Sequence, residues 1–114
     1  MNGAAGARLV RAAALGLAAA GALAAAQAQD AAAGKTKAAS CAVCHGANGL
    51  SVAPDAPNLA GQPAIYLSAQ LKAYRDGTRR HEVMSVMAKP LTDAEIANLA
   101  AWFASIKVEA TPPK

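Results

Sequence analysis

Cys41-Ala42-Val43-Cys44-His45 places two thiols three positions apart and an imidazole directly after the second. Three chemistries use a C-x-x-C pair. A thioredoxin-type redox pair needs a strand-to-helix setting, and the surrounding sequence carries no strand pattern. A zinc site needs more ligands, and His81 is the only other histidine. Covalent attachment of a c-type haem needs the third residue, and His45 supplies it. Two thiols at this spacing can add to the vinyl groups along one porphyrin edge. The imidazole then swings under the iron as proximal ligand. The residues imply one covalently attached haem c, held by Cys41, Cys44 and His45.

The opposite face of the iron needs a second ligand if the haem is to be six-coordinate. Met84, Met87 and His81 are the candidates. A thioether is a soft ligand that favours reduced iron and raises the potential relative to a second imidazole. Met84 and Met87 lie far down the chain in an irregular stretch, which lets the backbone wrap to the other side. Either methionine could instead fill a gap in the core. His81 stands in the polar run Thr78-Arg79-Arg80-His81-Glu82, a setting that suits a solvated surface histidine. Spacing alone does not choose between the two methionines.

The elements that must position these residues read as helices. Gln29 to His45 is expected to form a helix leading into the motif, with Asp30 as N-cap. Gly34 and Ala38, four apart, give it a small-residue face. Gly46 to Pro63 is too densely punctuated by Gly and Pro for regular structure, and a loop of this length is usually wrapped around something. Ala64 to Asp76 is expected to be a helix entered through Pro63, with Leu67, Leu71 and Tyr74 on one stripe and Gly77 as stop. A short turn of helix fits Met84 to Ala88. Thr92 to Ile106 carries the clearest signal: Thr92-Asp93-Ala94-Glu95 is a capping box, Leu91 and Ile96 sit at the staple positions, and Ile96, Leu99, Phe103 and Ile106 form an apolar stripe.

A chain of 114 residues is expected to make one small domain, here with an N-terminal segment that is removed. Arg8 and Arg11 precede an apolar run from Ala12 to Ala26, and Ala26-Gln27-Ala28 has the small-x-small pattern of a signal peptidase site. The run is 15 residues long, short of the ~20 that span a bilayer. The division expected is therefore a signal peptide over 1–28, a haem domain over 29–107 and a flexible tail over 108–114, with no membrane span in the mature form. Removing Arg8 and Arg11 lowers the net charge from +4 to 9 − 7 = +2. That balance says little about nucleic acid, no interleaving of aromatic and basic residues supports such a partner, and none is expected. Only Tyr66, Tyr74, Trp102 and Phe103 are aromatic. So few bulky residues in so short a chain make a thin core, which a buried porphyrin would supplement.

Four stretches together resemble the bacterial class I cytochromes c, in particular the single-haem domains that occur in pairs in periplasmic dihaem cytochromes c. They are Cys41-Ala42-Val43-Cys44-His45-Gly46; Ala56-Pro57-Asn58-Leu59-Ala60-Gly61-Gln62; the Tyr66-Leu67, Gln70-Leu71, Tyr74-Arg75, Gly77 and Arg79 pattern; and Met84-Ser85-Val86-Met87 with Leu91-Thr92-Asp93 and Leu99-Ala100-Ala101-Trp102-Phe103 after it. The resemblance covers residues 31–106. It implies an all-α class I cytochrome c fold, small helices wrapped around one haem. It implies that the Pro57 carbonyl accepts the Nδ1 proton of His45, fixing the ring, and that Met84 is the axial ligand with Met87 its packing neighbour. It also implies that the first and last helices cross, Gly34 and Ala38 receiving Leu99 and the Trp102/Phe103 pair. One departure stands out. The dihaem members carry two such domains and this chain carries one, so a second haem would come from another chain, as in a homodimer.

The function these residues imply is electron transfer. An iron with two protein ligands offers no open position, and no catalytic constellation accompanies it. The expectation is an electron carrier in the periplasm. Its partners would be redox proteins: a donor dehydrogenase or quinol-oxidising complex, and an acceptor oxidase or reductase. A haem-bearing subunit of a dehydrogenase or oxidase complex is a variant of that reading. A ligand-binding or peroxidatic haem protein is the rival, and it requires a labile methionine. Lys72, Arg75, Arg79, Arg80 and Lys89 could form a positive docking rim, while Arg75 or Arg79 could instead neutralise a haem propionate.

Overall fold

The computed structural model describes residues 29–114. The signal peptide expected over 1–28 lies outside the described residues. The described chain is all-α, with no strand among these residues. Its elements are α1 (Ala31–Lys37), a 3₁₀ turn (Ala38–Cys41), α2 (Ala42–His45), α3 (Ala64–Asp76), α4 (Met84–Ala88) and α5 (Asp93–Ser105).

The helices start and stop where their end residues dictate. Asp30 is extended, and its Oδ1 accepts the N–H groups of Ala32 and Ala33 at 2.9 and 3.0 Å. Two of the orphan donors of the first turn are thereby satisfied. The capping box of α5 is fully formed: Thr92 Oγ1 accepts from Glu95 N–H at 3.1 Å, and Glu95 Oε2 accepts from Thr92 N–H at 3.0 Å. α3 starts after Pro63 and ends at Gly77 in the left-handed conformation.

The first helix is shorter than its sequence suggests. Asp30 serves as cap, so Gln29 and Asp30 precede the helix. The stretch to His45 is then interrupted by the 3₁₀ turn, where Ser40 Oγ donates to the Lys37 carbonyl at 3.2 Å. A four-residue passage at 3.0 rather than 3.6 residues per turn rotates the next turn, α2, by roughly 80°. That rotation leaves Cys41 half-buried and His45 buried.

α5 is the hub of the packing. Ile96, Leu99, Ala100 and Phe103 are buried on it and meet Ala38, Leu67, Ala88 and Leu91 from the other elements. α1 crosses α5 in backbone contact at Gly34. A Cβ built there would lie 1.9 Å from the Asn98 carbonyl oxygen and 2.9 Å from Trp102 Cβ. The small-residue face read from the sequence is real, but Gly34 meets the Asn98 backbone and Trp102, whereas Ala38 shares the core with Leu99 and Phe103. Asn98 also accepts the Asp30 N–H through Oδ1 at 2.8 Å. Lys37 reaches Glu95 at 2.7 Å. α3 is fixed to the approach of α5 through Arg75, whose guanidinium donates to the Leu91 carbonyl at 3.0 Å and pairs with Asp93 at 2.7 Å. Among the described residues, Ile96 is the one large side chain that is fully buried. The thin core expected from the composition is present.

Candidate haem site

α2 is a single helical turn that carries Cys41 at its N-cap, Cys44 and His45. Both thiols are free. Burial pushes the Cys41 thiol up from its ordinary value, opposed by Ser40 and by the charge of Lys37.

The chain after His45 turns back beneath the ring. Gly46 has φ +77°, and a Cβ on it would lie 1.9 Å from the Leu50 carbonyl oxygen, so only glycine permits the reversal. Val52 and Ala53 N–H groups then donate to the Cys44 carbonyl at 3.1 and 3.3 Å. Leu59 and Ala60 N–H groups donate to the Gly49 carbonyl at 2.7 and 3.0 Å. Asn58 Oδ1 accepts the Ser51 N–H at 2.7 Å, and Ser51 Oγ donates to the Ala53 carbonyl at 2.6 Å. These bonds close the loop on itself and leave the Pro57 carbonyl 2.8 Å from His45 Nδ1. A carbonyl can only accept, so Nδ1 carries the proton. In the neutral ring Nε2 then keeps its lone pair for a metal. His45 is the one buried polar side chain among the described residues, at 6 % exposure.

The methionines lie on α4. Met84 is half-buried and Met87 is 40 % exposed. Large apolar side chains stay open to solvent on both segments expected to face a porphyrin: Leu50 and Val52 after the motif, and Val83 and Val86 around Met84. Isolated exposed apolar residues need no explanation, but these four flank the candidate ligands along the chain, where an apolar group would need such a lining. The residues present therefore fit a haem: two unpaired thiols, an oriented imidazole and an apolar lining. Cys41, Cys44 and His45 would hold it, and when bound it supplies a one-electron couple at iron.

Arg75 and Arg79 are already engaged. Arg75 holds Leu91, Asp93 and, at 3.5 Å, Asp76. Arg79 donates to Gln70 Oε1 at 2.6 Å and lies 4.7 Å from the centre of the Tyr74 ring. His81 is exposed, as its polar neighbours suggested, but its ring is not merely solvated. Its Nδ1 accepts the backbone N–H groups of Val83 and Met84 at 3.2 and 3.3 Å. Sequence reading missed that role, and it missed Asn58, Ser51 and Asn98.

The cytochrome c family model matches residues 31–107. Cytochrome c-554(548) of Halomonas halodenitrificans is 48 % identical over 76 residues, which is 64 % of this chain and 92 % of that protein. The chain belongs to the cytochrome c family. It is a c-type cytochrome with covalently attached haem c, and an electron carrier rather than an enzyme. A thiosulfate dehydrogenase electron acceptor of Thiomonas intermedia is 46 % identical over 77 residues, 67 % of this chain and 36 % of that one. The fold agrees with the crystal structure of reduced recombinant cytochrome c4 from Pseudomonas stutzeri, at a TM-score of 0.66 and 40 % identity, covering 70 % of this chain and 47 % of the other. The chain thus spans between a third and a half of these two longer relatives and resembles one half of a dihaem cytochrome c4. Among the described residues no helix is long and apolar enough to cross a membrane.

Proposed function

We propose that this cytochrome carries single electrons in the periplasm, after export by its leader, with His45 and Met84 as the axial ligands and Pro57 as the residue that orients His45. The observation that carries this reading is the 2.8 Å contact between His45 Nδ1 and the Pro57 carbonyl. It fixes the tautomer and the ring plane, and it makes the imidazole a stronger donor through Nε2. Met84 is preferred over Met87 because its side chain is the more enclosed of the two and because it matches the family's axial position. Two protein ligands, His45 and Met84, would leave the iron no open position for a substrate, and the group would then supply one-electron transfer.

A dehydrogenase is the favoured donor and a terminal oxidase or reductase the acceptor. Support for the donor class comes from the Thiomonas intermedia relative, which serves a thiosulfate dehydrogenase as electron acceptor. Docking would rest chiefly on Lys72, Arg80 and Lys89, since Arg75 is paired with Asp93 and Arg79 is bonded to Gln70. Pairing of two chains would reproduce the two-domain arrangement of the longer relatives.

The test is a pair of substitutions in haem-loaded protein. Met84→Ala is expected to abolish the weak long-wavelength absorbance band of thioether-ligated ferric haem and to lower the reduction potential. Met87→Ala is expected to keep the band. The reverse pattern would assign the ligand to Met87.

A further inference from the structure

α4 is a five-residue helix whose formal first residue is Met84. A helix this short cannot sustain itself, because nucleation is costly and few bonds repay it. Val83 immediately before it makes no side-chain capping bond. The cap lies further back. The His81 carbonyl accepts the Ser85 N–H at 3.0 Å, the first helical i to i−4 bond of the segment. His81 Nδ1 accepts from Val83 and Met84 N–H at 3.2 and 3.3 Å, the two donors that an N-cap side chain serves two and three positions ahead. The His81 N–H in turn donates to Ser85 Oγ at 3.0 Å, closing a reciprocal pair like a capping box. Histidine is not among the usual capping residues, so the arrangement escapes a search for Ser, Thr, Asp or Asn.

We infer that His81 is a positioning residue for the haem ligand: its imidazole, by capping the backbone at Val83 and Met84, sets the start and rotation of the turn that presents the Met84 thioether. This rests on the reading of Met84 as axial ligand. The cap bonds the backbone nitrogen of Met84 itself, so it constrains the Cα from which the side chain departs. The segment before the cap, Thr78 to Arg80, is otherwise tied back by Arg79 N–H to the Ala73 carbonyl at 3.0 Å and Thr78 Oγ1 to the same carbonyl at 3.3 Å. His81 thus joins a turn anchored on α3 to the turn that bears the methionine.

The experiment uses full-length haem-loaded protein in the ferric state and four forms: wild type, His81→Ala, His81→Asn and Met84→Ala. The readouts are the thioether band, the apparent affinity for added imidazole, which binds iron only when the thioether leaves, and the urea midpoint of global unfolding. Loss of one cap should raise the imidazole affinity of His81→Ala roughly fivefold and weaken the band. His81→Asn, which restores an acceptor of the preferred capping type, should bind imidazole close to wild type. A cap that mattered only to global stability would move the urea midpoint and leave the imidazole affinity unchanged, which would overturn the inference. So would His81→Asn behaving like His81→Ala. If His81→Ala matches wild type while Met84→Ala loses the band, the inference about His81 fails and the ligand assignment stands. If Met84→Ala keeps the band, the ligand assignment fails and the role of His81 goes with it.

Discussion

The crossing of α1 and α5 makes a prediction whose sign is decided by geometry. In an exposed helix, replacing Gly by Ala stabilises by about 1 kcal/mol, since alanine has the higher helix propensity and the lower backbone entropy. Gly34 sits in the middle of α1, so local propensity alone favours Gly34→Ala. The packing opposes it. The new Cβ would lie 1.9 Å from the Asn98 carbonyl oxygen and 2.5 Å from its carbon, against an ordinary contact of 3.4 Å or more. Both atoms belong to the backbone of α5 and cannot turn aside as a side chain would. The helices must part by about 1.5 Å to clear the oxygen. A gap of half to one ångström already forfeits a quarter to a half of the dispersion energy across a contact. Overpacking of this kind costs ~3 kcal/mol or more, so the net change is a loss of at least ~2 kcal/mol after the propensity gain. In a domain of this size that lowers the melting temperature by on the order of 10 °C. The assay is thermal unfolding of the haem-loaded protein monitored by circular dichroism, beside Ala33→Gly on the exposed side of the same helix. Ala33→Gly should lose only ~1 kcal/mol from propensity. A Gly34→Ala variant as stable as wild type, or more so, would refute the close crossing.

Other expectations rest on single bonds. Thr92→Ala removes the acceptor that serves Glu95 N–H and should cost ~1 kcal/mol in a urea titration; no change would mean that water replaces the cap at no cost. Acid should destabilise the protein through two carboxylates. Hydrogen bonding to the Arg75 guanidinium and its charge hold Asp93 below its usual 3.8, and the Lys37 bond, with the Thr92 backbone N–H, holds Glu95 below its usual 4.5. A depressed carboxylate contributes stability that is present above its unfolded value and is lost as pH falls through its folded value. The urea midpoint should therefore begin to fall near pH 4.5 and continue to fall below 3.8. Asp93→Asn should flatten the lower part of that limb, and a limb of unaltered steepness would argue against the Arg75 pair. The Met84→Ala and Met87→Ala spectra and the His81 series complete the set.

The features legible in the sequence were local. The C-x-x-C-H motif, the capping box at Thr92 and the boundaries of α3 and α4 are written in residues a few positions apart, and the structure carries each of them. The bonds that aim the site join residues far apart or use unexpected groups. Asn98 looks like an ordinary polar position of α5, yet its side chain anchors Asp30 and its backbone receives Gly34. Asn58 and Ser51 look like loop filler, yet they close the turn that delivers the Pro57 carbonyl. The 3₁₀ interruption of the first helix has no strong breaker residue to announce it; Ala38, Ala39 and Ser40 all tolerate an α-helix. The choice between two methionines three apart on one short helix is likewise invisible to periodicity, and in the sequence it is the family resemblance alone that favours Met84.

The long-range bonds also explain why this scaffold suits a relay. Fast electron exchange requires that the ligands move little when the iron changes charge. On the His45 side, the loop is tied to α5 by the Gly61 N–H donating to the Phe103 carbonyl at 2.9 Å. On the Met84 side, α4 packs on α3, and Leu91, which begins the turn into α5, is held to α3 by Arg75. The loop after His45 is thus tied to α5, and the segment proposed to bear the second ligand is tied to α3. With Met84 as the proposed second ligand, moving it would disturb the packing of α4 on α3 and the Arg75 bond to the Leu91 carbonyl, and moving His45 would disturb the loop bonded to the Phe103 carbonyl.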